Sequence, residues 1–167
     1  MTSSTAPLNV LFLCTGNSAR SLIAEGLLRQ MGGDGFGVFS AGSSPTGIPN
    51  PHAIAVLRQH DIDTSFARSK SWDEFCGADA PQIDLIVTVC DNAANEICPI
   101  WPGRPATAHW GLPDPAAVDG SKNDTDAAFS STYAELKKRI THLLDQCPDG
   151  QNIGGLAQLL CSSEDNS

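Results

Sequence analysis

The chain has 167 residues, of which 41% are hydrophobic, and a formal net charge of −9. This length and composition fit one globular domain, and the acidic balance argues against nucleic acid and anionic membranes as partners. No apolar run approaches the ~20 residues that cross a bilayer and no signal peptide is evident, so we expect a cytoplasmic protein.

Strand and helix patterns alternate along the chain. Apolar or alternating residues predict strands over 9–13, 36–41, 83–89 and 106–110. Helical spacing predicts helices over 21–31, 51–60, 71–76 and 124–147. This alternation predicts an α/β fold, a three-layer open sheet of about four parallel strands with helices on both faces. We expect a flexible N-terminus over 1–7, a single catalytic domain over 8–147 and a C-terminal extension over 148–167.

Small and polar residues join the first predicted strand to the first predicted helix. They are Cys14, Thr15, Gly16, Asn17, Ser18, Ala19, Arg20 and Ser21. Amides at such a junction point inward at the positive end of the helix dipole and form a nest for a tetrahedral oxyanion. Arg20 adds a bidentate fork, and the same field is expected to lower the pKa of Cys14. The pattern predicts a thiolate nucleophile aimed at a bound anion.

Two more reactive groups follow later strands. Ligands of parallel sheets bind at the C-terminal ends of strands, so Cys90 and Asp114 are expected beside Cys14. Asp114 is either a turn aspartate or an acid that protonates a leaving oxygen, and the neighbouring anion site favours the acid. Cys90 and Cys98 are either unrelated small residues or resolving thiols. A helix between them would hold their α-carbons roughly 12 Å apart, so pairing requires this segment to rearrange.

The remaining candidates have weaker claims. Six cysteines in a reducing compartment are expected as thiols, and Cys76, Cys147 and Cys161 are interpreted as structural or incidental. His109 and Trp110 either wall the site or simply pack. Ser21 is interpreted as a helix cap and as a partner of the Cys14 sulfur, two roles that are compatible. The four histidines lack metal-ligand spacing with the cysteines, so no structural zinc and no bound cofactor are predicted.

Residues 10–21 closely resemble the phosphate loop of the low-molecular-weight tyrosine phosphatase family. Residues 40–42 after the second strand and Asp114-Pro115 after the fourth match that family as well. Within its superfamily, residues 87–91, Cys98-Pro99 and 107–115 resemble the thiol-containing arsenate reductases. The resemblance covers roughly residues 8–146.

The resemblance implies a role for each candidate. Cys14 attacks arsenate, which the loop residues from Thr15 to Ser21 hold together with Arg20. Asp114 assists the departure of an arsenate oxygen. Cys90 then attacks Cys14 and releases arsenite. Cys98 attacks Cys90, and an external thiol reductant, thioredoxin, reduces the resulting disulfide. The implied role is arsenic detoxification.

Several alternatives stay open. The same loop serves a low-molecular-weight protein tyrosine phosphatase with a phosphocysteine intermediate, although Ala116 and Ala117 replace the aromatic residues that usually follow Asp-Pro. A non-catalytic arsenite-binding regulator is a further alternative, and glutaredoxin with glutathione, or mycothiol, can replace thioredoxin. Some relatives bind potassium near the loop. Asn17, Glu25 and Ser40 match three positions of that site, but no fourth ligand is assigned and no metal is predicted.

Overall fold

The computed structural model describes residues 8–77, 79–89, 106–118 and 120–146. Within them, one sheet contains β1 (Leu8–Cys14), β2 (Phe36–Gly42), β3 (Leu85–Thr88) and β4 (Ala106–His109). The strand order is β2-β1-β3-β4, and every pair is parallel. This confirms the predicted fold class. The predicted N-terminal lead-in, 1–7, and the C-terminal extension, 148–167, lie outside the described residues.

The helices begin and end close to the predicted positions. The α-helices are α1 (Arg20–Gly32), α2 (Pro51–Gln59) and α3 (Lys122–Gln146). The predicted helix over 71–76 is a short 3-10 helix, Trp72–Phe75, whose N-cap Ser71 accepts a hydrogen bond from the Asp73 amide. The predicted strand over 83–89 is longer than β3. Its outer residues Ile83 and Val89 are buried without belonging to the ladder, so the apolar run marks burial rather than pairing.

The two faces of the sheet have separate hydrophobic clusters because successive strand residues point to opposite sides. Val10 and Phe12 pack with the α-helices on one face. Leu11 and Leu13 pack on the other face with Phe75 of the 3-10 helix. Both faces of the central strands are therefore covered, as near-continuous apolar strands require.

The C-terminal ends of β1, β3 and β4 meet at one edge of the sheet. Beyond the ladders, the Val89 amide donates to the Leu13 carbonyl at 2.9 Å, and the Leu112 amide donates to the Val89 carbonyl at 3.3 Å. The segments that follow these strands thus start beside the loop after Cys14. No helix in the described ranges has the length and apolar character needed to span a membrane.

Candidate active site

The loop between β1 and α1 is fastened through its carbonyls to the segment that follows β2. The bonds run from Ser44 to Thr15 (2.9 Å), from Thr46 to Gly16 (3.0 Å) and from Asn50 to Ser18 (2.8 Å), amide to carbonyl in each case. In a planar trans peptide the carbonyl and the next amide point in opposite directions. These outward carbonyls therefore turn the amides of Gly16, Asn17 and Ala19 inward, which is the arrangement of an anion nest.

Gly42 lets the end of β2 approach this loop. A β-carbon there would lie 2.4 Å from the Thr15 carbonyl oxygen, 2.7 Å from that of Cys14 and 3.0 Å from the Asn17 nitrogen. All three are backbone atoms, which cannot move aside as a flexible side chain can. Glycine is thus required at this position for the close approach of two backbone segments.

Asn17 anchors the loop rather than pointing its side chain at a ligand. It is fully buried, with a left-handed backbone at φ 45°. Its Nδ2 donates to Ser21 Oγ at 2.8 Å and to Ser40 Oγ at 3.0 Å, and its Oδ1 accepts from the Lys70 amide at 2.9 Å. These bonds use both amide donors and hold a backbone conformation that costs about 1–3 kcal/mol on its own.

Ser21 is the second residue of α1, and the N-cap position is held by Ala19 without a side-chain bond. The capping interpretation of Ser21 is therefore wrong. Its hydroxyl instead accepts a hydrogen bond from the side-chain Nδ2 of Asn17 at 2.8 Å. A search of the sequence for helix caps misses this role, because the Ser21 hydroxyl accepts from the Asn17 side chain and not from a backbone amide.

Arg20 connects the loop to the segment after β4. Its Nη1 donates to the Leu112 carbonyl at 2.8 Å, and its Nη2 lies 3.9 Å from Asp114 Oδ2. Its Nε is buried and has no hydrogen-bond partner among the described residues. A buried donor without an acceptor costs about 1–3 kcal/mol, and an oxyanion in the nest would supply the acceptor. This supports the predicted role of Arg20 in anion binding.

Asp114 is a turn aspartate whose second carboxylate oxygen lies toward Arg20. Its Oδ1 accepts from the Ala116 amide at 2.9 Å and caps the 3-10 helix Pro115–Ala117, as a turn aspartate does. Its Oδ2 faces Arg20, and its side chain is 45% exposed. One carboxylate oxygen therefore fixes the turn, and the other lies on the side of Arg20.

The cysteines fall into two groups. Cys14 is buried at the C-terminal end of β1. Cys76 follows the 3-10 helix, its Sγ donates to the Trp72 carbonyl at 3.3 Å, and burial raises the pKa of its thiol. Such a thiol is poorly reactive, in agreement with a structural role. The other four cysteines, Cys90, Cys98, Cys147 and Cys161, lie outside the described residues.

Trp110 packs in the core, and His109 joins two strand ends. Trp110 is fully buried, and its ring centroid lies 6.0 Å from that of Phe12. His109 Nδ1 lies 2.7 Å from Thr88 Oγ1, which ties the ends of β3 and β4 together. Of the two interpretations of Trp110, packing is the correct one.

The three side chains that match a potassium site meet in the structure, and an ammonium lies among them. Ser40 Oγ donates to Glu25 Oε1 at 2.6 Å, and Asn17 donates to the same hydroxyl. Lys70 Nζ donates to Ser40 Oγ at 3.3 Å and lies 3.9 Å from Glu25 Oε1. A metal cation bound to these oxygens would lie close to the Lys70 ammonium. Two positive charges 4 Å apart repel by about 4 kcal/mol at an effective dielectric constant near 20. The residues present therefore do not fit a metal cation.

Sequence reasoning missed Lys70 and also Ser43. The Ser43 hydroxyl is buried without a partner among the described residues, directly after β2 at the same edge of the sheet. Its position after a strand was an available signal. Lys70 gave no signal, because its neighbours Arg68, Ser69 and Ser71 are polar and predict an exposed loop.

Residues 9–152 match the low molecular weight phosphotyrosine protein phosphatase family. An arsenate reductase from Halalkalibacterium halodurans is 39% identical over 131 residues, which cover 78% of this chain and 91% of that protein. The thioredoxin-dependent arsenate reductase of Corynebacterium glutamicum matches with a TM-score of 0.62 and 25% identity. The match covers 87% of this chain but 63% of that one, so this chain spans less than two thirds of its length.

A phosphatase is also among the similar structures. The tyrosine phosphatase Wzb from Escherichia coli K30, solved in complex with sulphate, has a TM-score of 0.65 and 27% identity, covering 83% of this chain and 96% of that one. The match to the family extends over most of the chain, and it includes the loop, the arginine and the aspartate described above. The chain belongs to the low molecular weight phosphotyrosine protein phosphatase family.

Proposed function

We propose that this protein reduces arsenate to arsenite through a relay of Cys14, Cys90 and Cys98, and that it serves arsenic detoxification in the cytoplasm. The observation that carries the proposal is the hydrogen bond from the Val89 amide to the Leu13 carbonyl, at 2.9 Å. It ties the chain immediately before Cys90 to the strand that ends in Cys14. The relationship to arsenate reductases supports the same reaction.

In the first step, the Cys14 thiolate attacks arsenic and one arsenate oxygen departs as water. The inward amides of the loop and the Arg20 guanidinium hold the remaining oxygens. Asp114 supplies the proton to the departing oxygen, an assignment supported by the 3.9 Å between its Oδ2 and Arg20. The product is a covalent adduct with a bond between Cys14 sulfur and arsenic(V).

In the second step, the Cys90 thiolate attacks the Cys14 sulfur. The bond between sulfur and arsenic breaks, its electron pair stays on arsenic, and arsenite leaves. A Cys14–Cys90 disulfide forms, so the two thiols together supply the two electrons. Closing a loop of this length from a random chain costs roughly 4.5 kcal/mol, so the fold has to hold the two residues close together beforehand.

The register of the sheet supports this closeness. Leu13 pairs with Thr88, so Val89 continues beside Cys14. Neighbouring strands lie about 4.8 Å apart and successive α-carbons about 3.8 Å apart. A Cys14–Cys90 disulfide needs α-carbons about 4.4–6.8 Å apart, and the described chain reaches Cys14's neighbour Leu13 one residue before Cys90.

In the last step, Cys98 attacks Cys90 and regenerates the Cys14 thiol. The new Cys90–Cys98 disulfide is then reduced by an external thiol donor, with thioredoxin as our first choice. The thioredoxin-dependent reductase among the similar structures favours this donor. Glutaredoxin with glutathione, or mycothiol, remains the competing assignment, and each would make Cys98 dispensable.

The relay is tested by following NADPH oxidation with arsenate, thioredoxin and thioredoxin reductase. We expect arsenate-dependent turnover in the wild type and in the control Cys76→Ser. We expect none in Cys14→Ser, Cys90→Ser or Cys98→Ser. Undiminished turnover in Cys90→Ser would eliminate the relay. Turnover of Cys98→Ser with glutathione and glutaredoxin, but not with thioredoxin, would reassign the donor.

Phosphoester hydrolysis is the second candidate function. Cys14, Arg20 and Asp114 suffice for it, and the likeness to the Wzb phosphatase favours it. However, Ala116 and Ala117 are small and exposed after Pro115, and they provide no aromatic wall for a phosphotyrosine ring. We expect weak hydrolysis of a small aryl phosphate that Cys90→Ser retains. Tight arsenite binding without any turnover would instead support the regulator alternative.

A further inference from the structure

A buried pair of opposite charges lies beside the anion loop and has no part in the proposed chemistry. Glu25 of α1 has a side chain 2% exposed, and Lys70, from the segment after α2, has a side chain 7% exposed. Glu25 and Lys70 are the only buried charged residues in the part of the chain that the structure describes. Arg29 also reaches Glu25 from the half-exposed side, with its Nη2 2.9 Å from Oε2.

Ser40 links this pair to the loop, and all hydrogen-bonding sites of its hydroxyl are used. A serine hydroxyl has one donor and two acceptor sites. Asn17 Nδ2 and Lys70 Nζ are both donors and occupy the two acceptor sites, at 3.0 and 3.3 Å. The hydroxyl hydrogen must therefore point at Glu25 Oε1, 2.6 Å away. The orientation of Ser40, and through it that of Asn17, depends on charged neighbours on both sides.

Lys70 also holds Asn17 directly. Its backbone amide donates to Asn17 Oδ1 at 2.9 Å, and its carbonyl accepts from the Gly42 amide at 2.9 Å. Its ammonium is fixed by a second acceptor, the Arg68 carbonyl, at 3.0 Å. One residue thus contacts the loop anchor through the main chain and through Ser40.

We propose that Lys70 is a positioning residue that serves as the chain's own cation at the anion loop. Its ammonium is the fixed counter-ion of Glu25 and, through Ser40, keeps Asn17 and the inward amides in the binding arrangement. The protein consequently needs no potassium at this position, unlike the relatives whose site Asn17, Glu25 and Ser40 match. The proposal relies on the proposed function only in taking arsenate as the bound anion.

The energetics favour this role over a purely stabilising one. Burial raises the pKa of Glu25, with Lys70 as the largest opposing influence, and burial lowers the pKa of Lys70, with Glu25 opposing. Both shifts favour the neutral forms, so holding the two charges in the interior is unfavourable. Buried ion pairs of this kind are often replaceable by apolar residues without loss of stability. The pair of Glu25 and Lys70 lies beside Asn17, so we assign it to positioning the loop and not to stability.

The test compares Lys70→Met with Lys138→Met, which makes the same chemical change on an exposed part of α3. Affinity for arsenate is measured in a Cys90→Ser background, where the relay cannot oxidise Cys14, as protection of Cys14 from iodoacetamide, read from the mass of the Cys14 peptide. We expect Lys70→Met to weaken protection and to raise the KM for arsenate by about tenfold. An effect of this size corresponds to the loss of one or two hydrogen bonds. The kcat should change less than threefold. Lys138→Met should match the wild type.

Cation dependence supplies the second measurement. Wild-type kinetics should be the same in sodium and potassium salts of equal ionic strength. Lys70→Ala, which leaves space at the oxygens of Glu25 and Ser40, should recover part of its arsenate affinity when ammonium ions are added, whereas Lys70→Met should not. Unchanged protection in Lys70→Met, or a wild type activated more than twofold by potassium over sodium, would overturn the proposal.

A folding defect is controlled by the double variant Glu25→Gln/Lys70→Met, which removes both buried charges. It should unfold at the wild-type urea concentration or higher and still bind arsenate more weakly. Wild-type affinity in this variant would contradict the proposal. If arsenate does not protect Cys14 even when Lys70 is present, the proposed function fails. That result differs from failure of the Lys70 proposal, in which arsenate protects Cys14 equally well with and without Lys70.

Discussion

The two sides of the anion loop are built differently. On the side of β2, Asn17 and Ser40 are fully buried, and every bond around them lies between 2.6 and 3.3 Å. On the side of β4, Arg20 and Asp114 stand 3.9 Å apart, and the aspartate side chain is nearly half exposed. The first side is fixed in advance, whereas the second has an Arg20 donor without a partner among the described residues and a half-exposed aspartate.

This difference separates two tasks of one site. Binding a tetrahedral anion benefits from donors that are oriented before the ligand arrives. Proton transfer to a departing oxygen requires a group that can approach that oxygen, and catalytic hydrogen bonds are often long until the substrate is bound. We therefore expect changes on the side of β2 to act on affinity and stability, and changes on the side of β4 to act on turnover.

The largest effect is expected from Asp114→Asn. The asparagine oxygen can still accept from the Ala116 amide, so the 3-10 helix keeps its cap, but the proton donor is lost. Removing a general acid costs typically 10²–10⁴-fold, so we expect a fall in kcat of about that size with little change in the KM for arsenate. Steady-state kinetics of the coupled assay measure this split. A rise in KM at constant kcat would instead make Asp114 a binding group.

Arg20→Lys is expected to have the next largest effect. Lysine keeps the charge but loses the planar fork and the buried Nε donor. Charge-assisted hydrogen bonds contribute about 1.5–3 kcal/mol, so kcat/KM should fall roughly 10- to 100-fold. Protection of Cys14 by arsenate should weaken in parallel. Equal kcat/KM in both proteins would show that Arg20 acts as a point charge only.

Gly42→Ala tests the fixed side by a steric change. The added carbon would meet backbone oxygens at 2.4 and 2.7 Å, so the loop must shift. We expect the free energy of unfolding to fall by about 1–3 kcal/mol, as overpacking typically costs, together with weaker arsenate binding. Urea unfolding measures the first effect. Gly77→Ala is the control, because a carbon there would meet no atom of the described residues within 4 Å.

A smaller effect is expected in the pH dependence of stability. The folded pKa of Glu25 is raised above its ordinary 4.5. Its contribution to folding is therefore full below pH 4.5 and is lost as the pH rises through the folded pKa. The stability of the wild type relative to Glu25→Gln should fall over that interval, by no more than about 1.4 kcal/mol per pH unit. Urea unfolding at several pH values measures this difference, and a relative stability that rises with pH would contradict it.

Local patterns predicted the framework of the fold and the reactive edge. The apolar residues of β1 and the small residues after Cys14 are contiguous in sequence, and parallel topology alone places the ends of β3 and β4 beside them. The role of Lys70 was not predictable in this way. Its burial depends on Glu25, which is remote in sequence, and neither residue signals the other.

Likewise, the requirement for glycine at position 42 and the acceptor role of Ser21 arise only when distant segments meet. Gly42 is short of space because the Thr15 carbonyl of another segment approaches it. Ser21 accepts a hydrogen bond from the side chain of Asn17, whose backbone is left-handed. The sequence does not predict that conformation at this position. Periodicity identifies what is buried, but not which buried polar groups will be partners.

The most direct test of the central claim is a single turnover of Cys98→Ser with one equivalent of arsenate and no reductant. The relay predicts one equivalent of arsenite, a protein lighter by two hydrogens, and a peptide pair joined by a Cys14–Cys90 disulfide in the mass spectrum. A protein of unchanged mass with no arsenite released, or arsenic left bound to Cys14, would contradict the relay.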